Sequence, residues 1–275
     1  MLTLFRPLNF LITLITGFIA VLIAENGELT HATLYFGVLT GVSAALIGAG
    51  GNIINDILDV EIDRINRPDR PLPAGKVTVT TATRLYIFSK MFGIFFAAMA
   101  GIIPALIAAA SSFIIFFYSY FLKNIPLVGN FTVSVFTGMV FIFGASTVNN
   151  YSNALFPFIF AFMINMVREV VKDVEDIEGD TAENVRTFPV IFGVEPARKL
   201  AVIITLLLIT VTFVPFLLQV YRIEYLVVIA VSVAPALISV IRDTTRAKEK
   251  KDWGRISGHL KLIMILGILA IIAGI

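Results

Sequence analysis

Four carboxylates, Asp56, Asp59, Glu61 and Asp63, fall within eight positions of the stretch NIINDILDVEIDRINRPDRPLPAGK (52–76), and the guanidiniums Arg64, Arg67 and Arg70 follow at once. A second run, REVVKDVEDIEGD, brings Glu169, Asp173, Glu175, Asp176, Glu178 and Asp180, with Glu183 just beyond. With Asp69, these two short stretches hold 12 of the 19 acidic residues. If the chain is helical there, Asn52, Asn55, Asp59 and Asp63 share one face, with Asp56 at its edge, and so do Glu169, Asp173, Asp176 and Asp180. Like charges at such intervals weaken a helix and raise one another's pKa unless a cation compensates. Asp is also a poor helix former, so its repeated use points to the short carboxylate itself. Mg²⁺ suits such oxygens: it keeps several waters and is held by one or two carboxylates plus substrate phosphates. Two carboxylate faces could hold two or more such ions around a diphosphate. A solvated charge run is the plain alternative; two same-face clusters in one chain argue against it.

The elements that carry these clusters are membrane spans. The chain has 275 residues, 58% of them hydrophobic and only 15% charged, with a mean hydropathy of +0.92; soluble domains carry about 25% charged residues. Apolar runs of roughly 20 residues suffice to span a bilayer. Nine are expected, at 8–25, 33–57, 83–101, 102–122, 131–148, 152–174, 197–219, 223–242 and 257–275. Only Gly101 and Pro104 separate the third from the fourth. The first run is too long for a signal-peptide core and lacks a small-residue cleavage site, so it is read as a span. Placing the N-terminus in the cytoplasm puts 18 of the 21 Lys and Arg residues in cytoplasmic segments, as the positive-inside rule requires. Both acidic clusters then face the cytoplasm. The fold expected is an all-α polytopic membrane protein in one domain, 1–275, with a possible pseudo-repeat of 1–122 and 123–242. The absence of cysteine removes disulfides, thiolate nucleophiles and Cys-ligated metal. A net charge of +2 gives no sign of a nucleic-acid partner, and the sequence carries no signal of oligomeric state.

NDILDVEID (Asn55 to Asp63) resembles the first acidic motif, NDxxDxxxD, of the UbiA superfamily of intramembrane prenyltransferases, and NRPDRPLPAGK resembles its RPLPxG continuation. DVEDIEGD (Asp173 to Asp180) is similar to the second acidic motif, with Asp176 and Asp180 at DxxxD spacing. YSYFLKNIPLVGN (Tyr118 to Asn130) looks like the family's tyrosine–lysine segment, and FRPLNF like its N-terminal Arg-Pro element. The resemblance implies nine helices around a central cavity, Mg²⁺ held between the acidic motifs, and a polyprenyl diphosphate donor. It matches best the archaeal branch that moves a geranylgeranyl group onto geranylgeranylglyceryl phosphate, making the second ether bond of archaeal membrane lipids. One departure stands out. Many members have Arg after the middle aspartate of the first motif, whereas Val60 follows Asp59 here, so that cation must come from elsewhere.

The roles that follow are these. Asn55, Asp59, Asp63, Asp173, Asp176 and Asp180 are the expected metal ligands. Lys123 is expected to stabilise the departing diphosphate, supported by Arg64, Arg67, Arg70 or Lys172. Asn55, Asp56, Tyr118 (with Tyr120 as competitor) and Asn130 complete the substrate-binding set. Asp56 and Glu169 are candidates for the base that takes the acceptor's proton. Arg6 reads as an anchor at the membrane edge, Trp253 with its basic neighbours as an interfacial anchor, and Asn149, Asn150 and Asn153 as solvated loop residues. Rival readings are a prenyltransferase with an aromatic acceptor, a cation transporter, and a phosphatidyltransferase using CDP-alcohols. The last needs an Asp-Gly motif that neither cluster has. A transporter has little reason to set arginines beside its carboxylates near one membrane face rather than at the midplane.

Overall fold

The computed structural model describes residues 2–182 and 184–275; Glu183, counted above in the second acidic run, lies outside them. Among the described residues the chain is helical throughout, without strands. In order, the helices are α1 (Pro7–Ala24), α2 (His31–Leu58), α3 (Val60–Asn66), α4 (Val79–Ala100), α5 (Ile102–Tyr120), α6 (Val128–Val148), α7 (Leu155–Glu175), α8 (Ile177–Ala182), α9 (Phe188–Phe192), α10 (Val194–Leu217), α11 (Ile223–Val228), α12 (Ala234–Arg246) and α13 (Lys250–Gly274). A π-turn at Ile229–Val233 joins α11 to α12; Pro235, just beyond it, has no N–H for the carbonyl one turn back. Each of the nine expected spans coincides with one of the long helices or with the composite α11–α12. Among the described residues, eight are long and apolar enough to cross a membrane. The other, α7, has 21 residues, but its last two turns carry Arg168, Glu169, Lys172, Asp173 and Glu175.

The chain forms two compact units. One comprises the residues up to Lys123 together with Met139–Ala154; the other comprises Asn124–Gly138 and Leu155–Ile275. In the first unit α2 is the axis, packed on α1, α4 and α5. A Cβ built on Gly17 falls 2.8 Å from the Gly41 Cα, and one on Gly41 would overlap the Leu14 carbonyl oxygen, so α1 and α2 touch backbone to backbone. On the α4 side, Ser43 donates to the Gly93 carbonyl at 2.7 Å. Ala44, Ile47, Ala97, Ala108 and Phe143 close the core there. Gly101 alone joins α4 to α5, at φ 141°, so the expected tight turn is a single residue. The outer faces of α4 and α5 expose Phe88, Phe92, Phe95, Phe113, Phe116 and Phe117, an aromatic surface suited to lipid.

The C-terminal ends of α1 and α6 are tied together. Asn150 donates to the Ala24 carbonyl at 2.7 Å, and Asn153 to the Ile23 carbonyl at 3.2 Å and to Asn26 at 2.6 Å. Asn150 and Asn153 therefore cap α1 rather than being merely solvated: Asn150 satisfies a carbonyl that the helix end leaves open, and Asn153 adds a second donor to Ile23, which also takes the Asn26 amide.

In the second unit α7 packs on α10 and α13 through a stripe of buried valines, Val167, Val170, Val171 and Val174. Arg198 fastens the far side of this unit. Its guanidinium donates to the carbonyls of Thr244 and Ala247, the last groups of α12, and lies 5.2 Å over the Trp253 ring. Trp253 is only 3% exposed. This corrects the reading of Trp253 as an interfacial anchor: its ring is spent on stacking with a planar cation, which Arg does well.

The glycine contact makes a sharp prediction. Gly41→Ala should lower the melting temperature in detergent, by about 1–3 kcal/mol of overpacking. Gly48→Ala on the same helix meets open space and should be neutral or slightly stabilising, since Ala outranks Gly in helices. Paired thermal unfolding scans of the two variants check this.

Candidate active site

In the first unit the acidic motif straddles a joint. Helix α2 stops at Leu58 and α3 restarts at Val60, leaving Asp59 between them. The amide of Asp59 still donates to the Asn55 carbonyl at 2.9 Å, and that of Asp63 to the Asp59 carbonyl at 2.8 Å. The expected shared face of Asn55, Asp59 and Asp63 is thus nearly kept across the break. Helical periodicity continues through the sequence, so nothing in it announced the joint.

Cations meet these aspartates one by one. Lys123, from the short 3₁₀ turn after α5, pairs directly with Asp59. It supplies the positive charge that Val60 cannot. Arg70 pairs with Asp63, and with Asp56 at 3.1 Å. Arg6 reaches the same Asp56 oxygen at 2.5 Å and Asn52 at 3.1 Å. Arg6 is therefore part of the charged cluster rather than only an anchor. Its backbone takes the left-handed conformation, φ 48°, immediately before Pro7 opens α1. Asp56 is 3% exposed and serves two guanidiniums, which leaves it badly placed to act as the proton-accepting base. Burial pushes the Asp63 carboxyl above its ordinary value while Arg70 pulls it down; burial likewise draws the Arg6 guanidinium below its own, against Asp56.

The other expected residues of this unit divide. Arg64 pairs with Glu61 at 2.5 Å on the surface, with both side chains more than half exposed; the structure does not bring it to the carboxylates named above. Arg67 caps the end of α3, its amide donating to the Asp63 carbonyl. Tyr120 is 55% exposed and stacks with Phe116. Tyr118, two residues earlier, projects from nearly the opposite side of α5 and is the better candidate.

The second unit repeats the same construction. Helix α7 ends at Glu175, α8 begins at Ile177, and Asp176 sits between them. The Asp176 amide donates to the Lys172 carbonyl at 2.9 Å and that of Asp180 to the Asp176 carbonyl at 3.1 Å. Asn130 donates to Asp173 at 2.8 Å, so the structure brings Asn130 to an aspartate of the motif. Thr187 donates to Asp180 at 3.3 Å. Glu169, the other candidate base, is held by Arg168 at 2.8 Å and by Lys172 at 3.6 Å, so its oxygens too are committed to cations.

Among the described residues no three acidic or histidine side chains already form a metal cage. Magnesium does not require one, since phosphates and water complete its shell. The donor set fits it: hard oxygens throughout, and one that lacks any other use. Asn55 Oδ1 is buried without a hydrogen-bond partner among the described residues, beside Asp59 on the motif's face. A buried unpaired carbonyl costs about 1–3 kcal/mol, and a cation would satisfy it.

Apolar helices that end in aspartates, those of the first motif paired with Lys123, Arg70 and Arg6, make this a membrane protein with a site for a cation and an anion together. Residues 12–266 match the model described as the UbiA prenyltransferase family, and the chain belongs to that family. It is 36% identical over 238 residues to digeranylgeranylglyceryl phosphate synthase of Methanopyrus kandleri, covering 86% of this chain and 87% of that one. It is 34% identical over 274 residues to the protein of that name from Pyrococcus furiosus, covering 98% and 94%. A solved structure described as digeranylgeranylglyceryl phosphate synthase in membranes superposes with TM-score 0.78 at 31% identity, over 98% of this chain and 95% of that one. A UbiA homologue from Archaeoglobus fulgidus bound to GPP and Mg²⁺ shares the fold, with TM-score 0.70 at 21% identity and 98% of each chain covered.

The pairings separate two kinds of variant. Asp56→Ala removes the anion shared by Arg6 and Arg70, of which Arg70 keeps Asp63, and should cost about 1.5–3 kcal/mol of stability. Arg64→Ala breaks only an exposed pair and should stay within about 1 kcal/mol. Thermal unfolding of both proteins in one detergent checks the contrast.

Proposed function

We propose that this protein transfers a geranylgeranyl group from geranylgeranyl diphosphate to the free hydroxyl of geranylgeranylglyceryl phosphate, in a magnesium-dependent reaction at the cytoplasmic face of the membrane. The metal–diphosphate part of this reading is carried by the orphaned Asn55 oxygen beside an aspartate that already holds Lys123. The lipid-phosphate acceptor rests on likeness to relatives named as synthases of that product. The cytoplasmic orientation rests on the one-sided distribution of Lys and Arg in the sequence.

Asn55, Asp59, Asp63, Asp173, Asp176 and Asp180 are the residues that would hold magnesium. Magnesium bound there would supply Lewis-acid neutralisation of the leaving diphosphate and a template for it. Lys123 and Arg70 are hydrogen-bond donors already poised on the carboxylates, and either can turn to diphosphate oxygens as negative charge collects on them. The allylic carbon loses its bond to the diphosphate oxygen and gains one to the acceptor oxygen, whose proton passes to the released diphosphate or to bulk water. Water must be kept from the allylic cation, and the apolar walls of the helices serve that end.

The test is product formation by purified protein in nanodiscs with both lipid substrates. Transfer should vanish without Mg²⁺ and in Asp59→Ala and Asp176→Ala, and Lys123→Met should lower turnover by about 10²–10³-fold. Transfer to 4-hydroxybenzoate but never to the lipid phosphate would overturn the acceptor. Aspartate-dependent cation flux without transfer would overturn the enzyme reading.

A further inference from the structure

Three polar side chains are buried in the second unit where its helices are otherwise apolar: Asn130 at 8% exposure, Ser134 at 0% and Asn165 at 5%. Polar groups inside membrane helices are costly and usually mark function. These three form one directed chain that ends on an aspartate. Asn165, midway along α7, donates to Ser134 Oγ at 3.3 Å. Ser134 donates to the Asn130 carbonyl at 2.6 Å, and the Asn130 carboxamide donates to Asp173 Oδ2 at 2.8 Å.

The Ser134 bond alone is unremarkable, because serine in a helix commonly bonds the carbonyl four residues back. What needs a reason is that its oxygen also receives Asn165, and that the asparagine one turn before it lies on Asp173. The two carboxamide bonds tie the start of α6 to α7 at two heights, and so fix where the Asn130 side chain stands. Asn130 can present only its nitrogen to a carboxylate, which engages Oδ2 and fixes the orientation of the Asp173 carboxylate. Ligands held in this way by an outer hydrogen bond bind metal more tightly, and loss of that bond typically costs about 10–100-fold in affinity or activity.

We propose that Asn130 is a positioning residue for Asp173, and that Ser134 and Asn165 hold it in register, so that this buried chain sets the affinity of the second acidic motif for its divalent cation. The inference rests on the magnesium reading given above. It places an element of metal affinity well away from the acidic motif along α7, with Asn165 eight residues, about 12 Å of helix rise, from Asp173.

Mn²⁺ binding to the purified protein in detergent, followed by electron paramagnetic resonance with and without inorganic pyrophosphate, tests it without recourse to activity. Asn130→Ala should raise the Mn²⁺ dissociation constant by about tenfold. Asn165→Leu should raise it less, though still measurably, and Asn130→Asp, equal in size but unable to donate, should be at least as weak as Asn130→Ala. In turnover assays the half-saturating Mg²⁺ should rise in parallel. Lowered melting temperatures with unaltered Mn²⁺ binding would reduce the chain to a packing device and overturn the proposal. Failure of the parent protein to bind Mn²⁺, with or without pyrophosphate, would instead strike the metal reading and the inference with it.

Discussion

A carboxylate at the edge of a hydrocarbon layer must find a cation, and the architecture of the first acidic motif follows from that requirement. Asp59 has Lys123, Asp63 has Arg70, and Asp56 has both Arg70 and Arg6. Burying an ion costs several kcal/mol even after relaxation, and removing one member of a buried pair is worse than never having had the pair. The chain segments that bring these cations must therefore come to the end of α2: the turn before α1, the loop before α4 and the turn after α5. The close crossing of α1 and α2 through Gly17 and Gly41 serves the same end, because it draws the turn that bears Arg6 toward the helix that bears Asp56.

The same pairs give the site a chemistry. Lysine and arginine that neutralise carboxylates are the groups that can neutralise a diphosphate, so a change of partner requires only side-chain movement. The two motifs share a further device: the middle aspartate sits at a one-residue joint between a long helix and a short one, with the i to i−4 hydrogen bonds carried across it. Such a joint interrupts the helix while keeping the backbone satisfied.

Much of this was legible in the sequence because helical spacing is local. Asn55, Asp59 and Asp63, like Asp173, Asp176 and Asp180, declare a common face through intervals of three and four. The apolar runs declare the spans, down to the single-glycine turn at Gly101. What could not be read was whatever joins distant segments. Arg6 lies 50 residues from Asp56 and Lys123 lies 64 from Asp59, and neither pairing leaves a periodic trace. Trp253 amid lysines reads as an anchor until Arg198, on another helix, is seen stacked on its ring. Asn130 was placed among the substrate-binding residues from its neighbourhood alone, whereas its partner, Asp173, lies 43 residues on.

The tie between Asn150, Asn153 and the end of α1 bears on how the chain is made. During synthesis α1 emerges first, yet the side-chain donor to its Ala24 carbonyl is encoded 126 residues later. Until then that carbonyl depends on water, which is to be found at the membrane surface, whereas the Ile23 carbonyl already takes the Asn26 amide at 3.1 Å. The end of the first helix is thus completed only by a residue that follows the sixth.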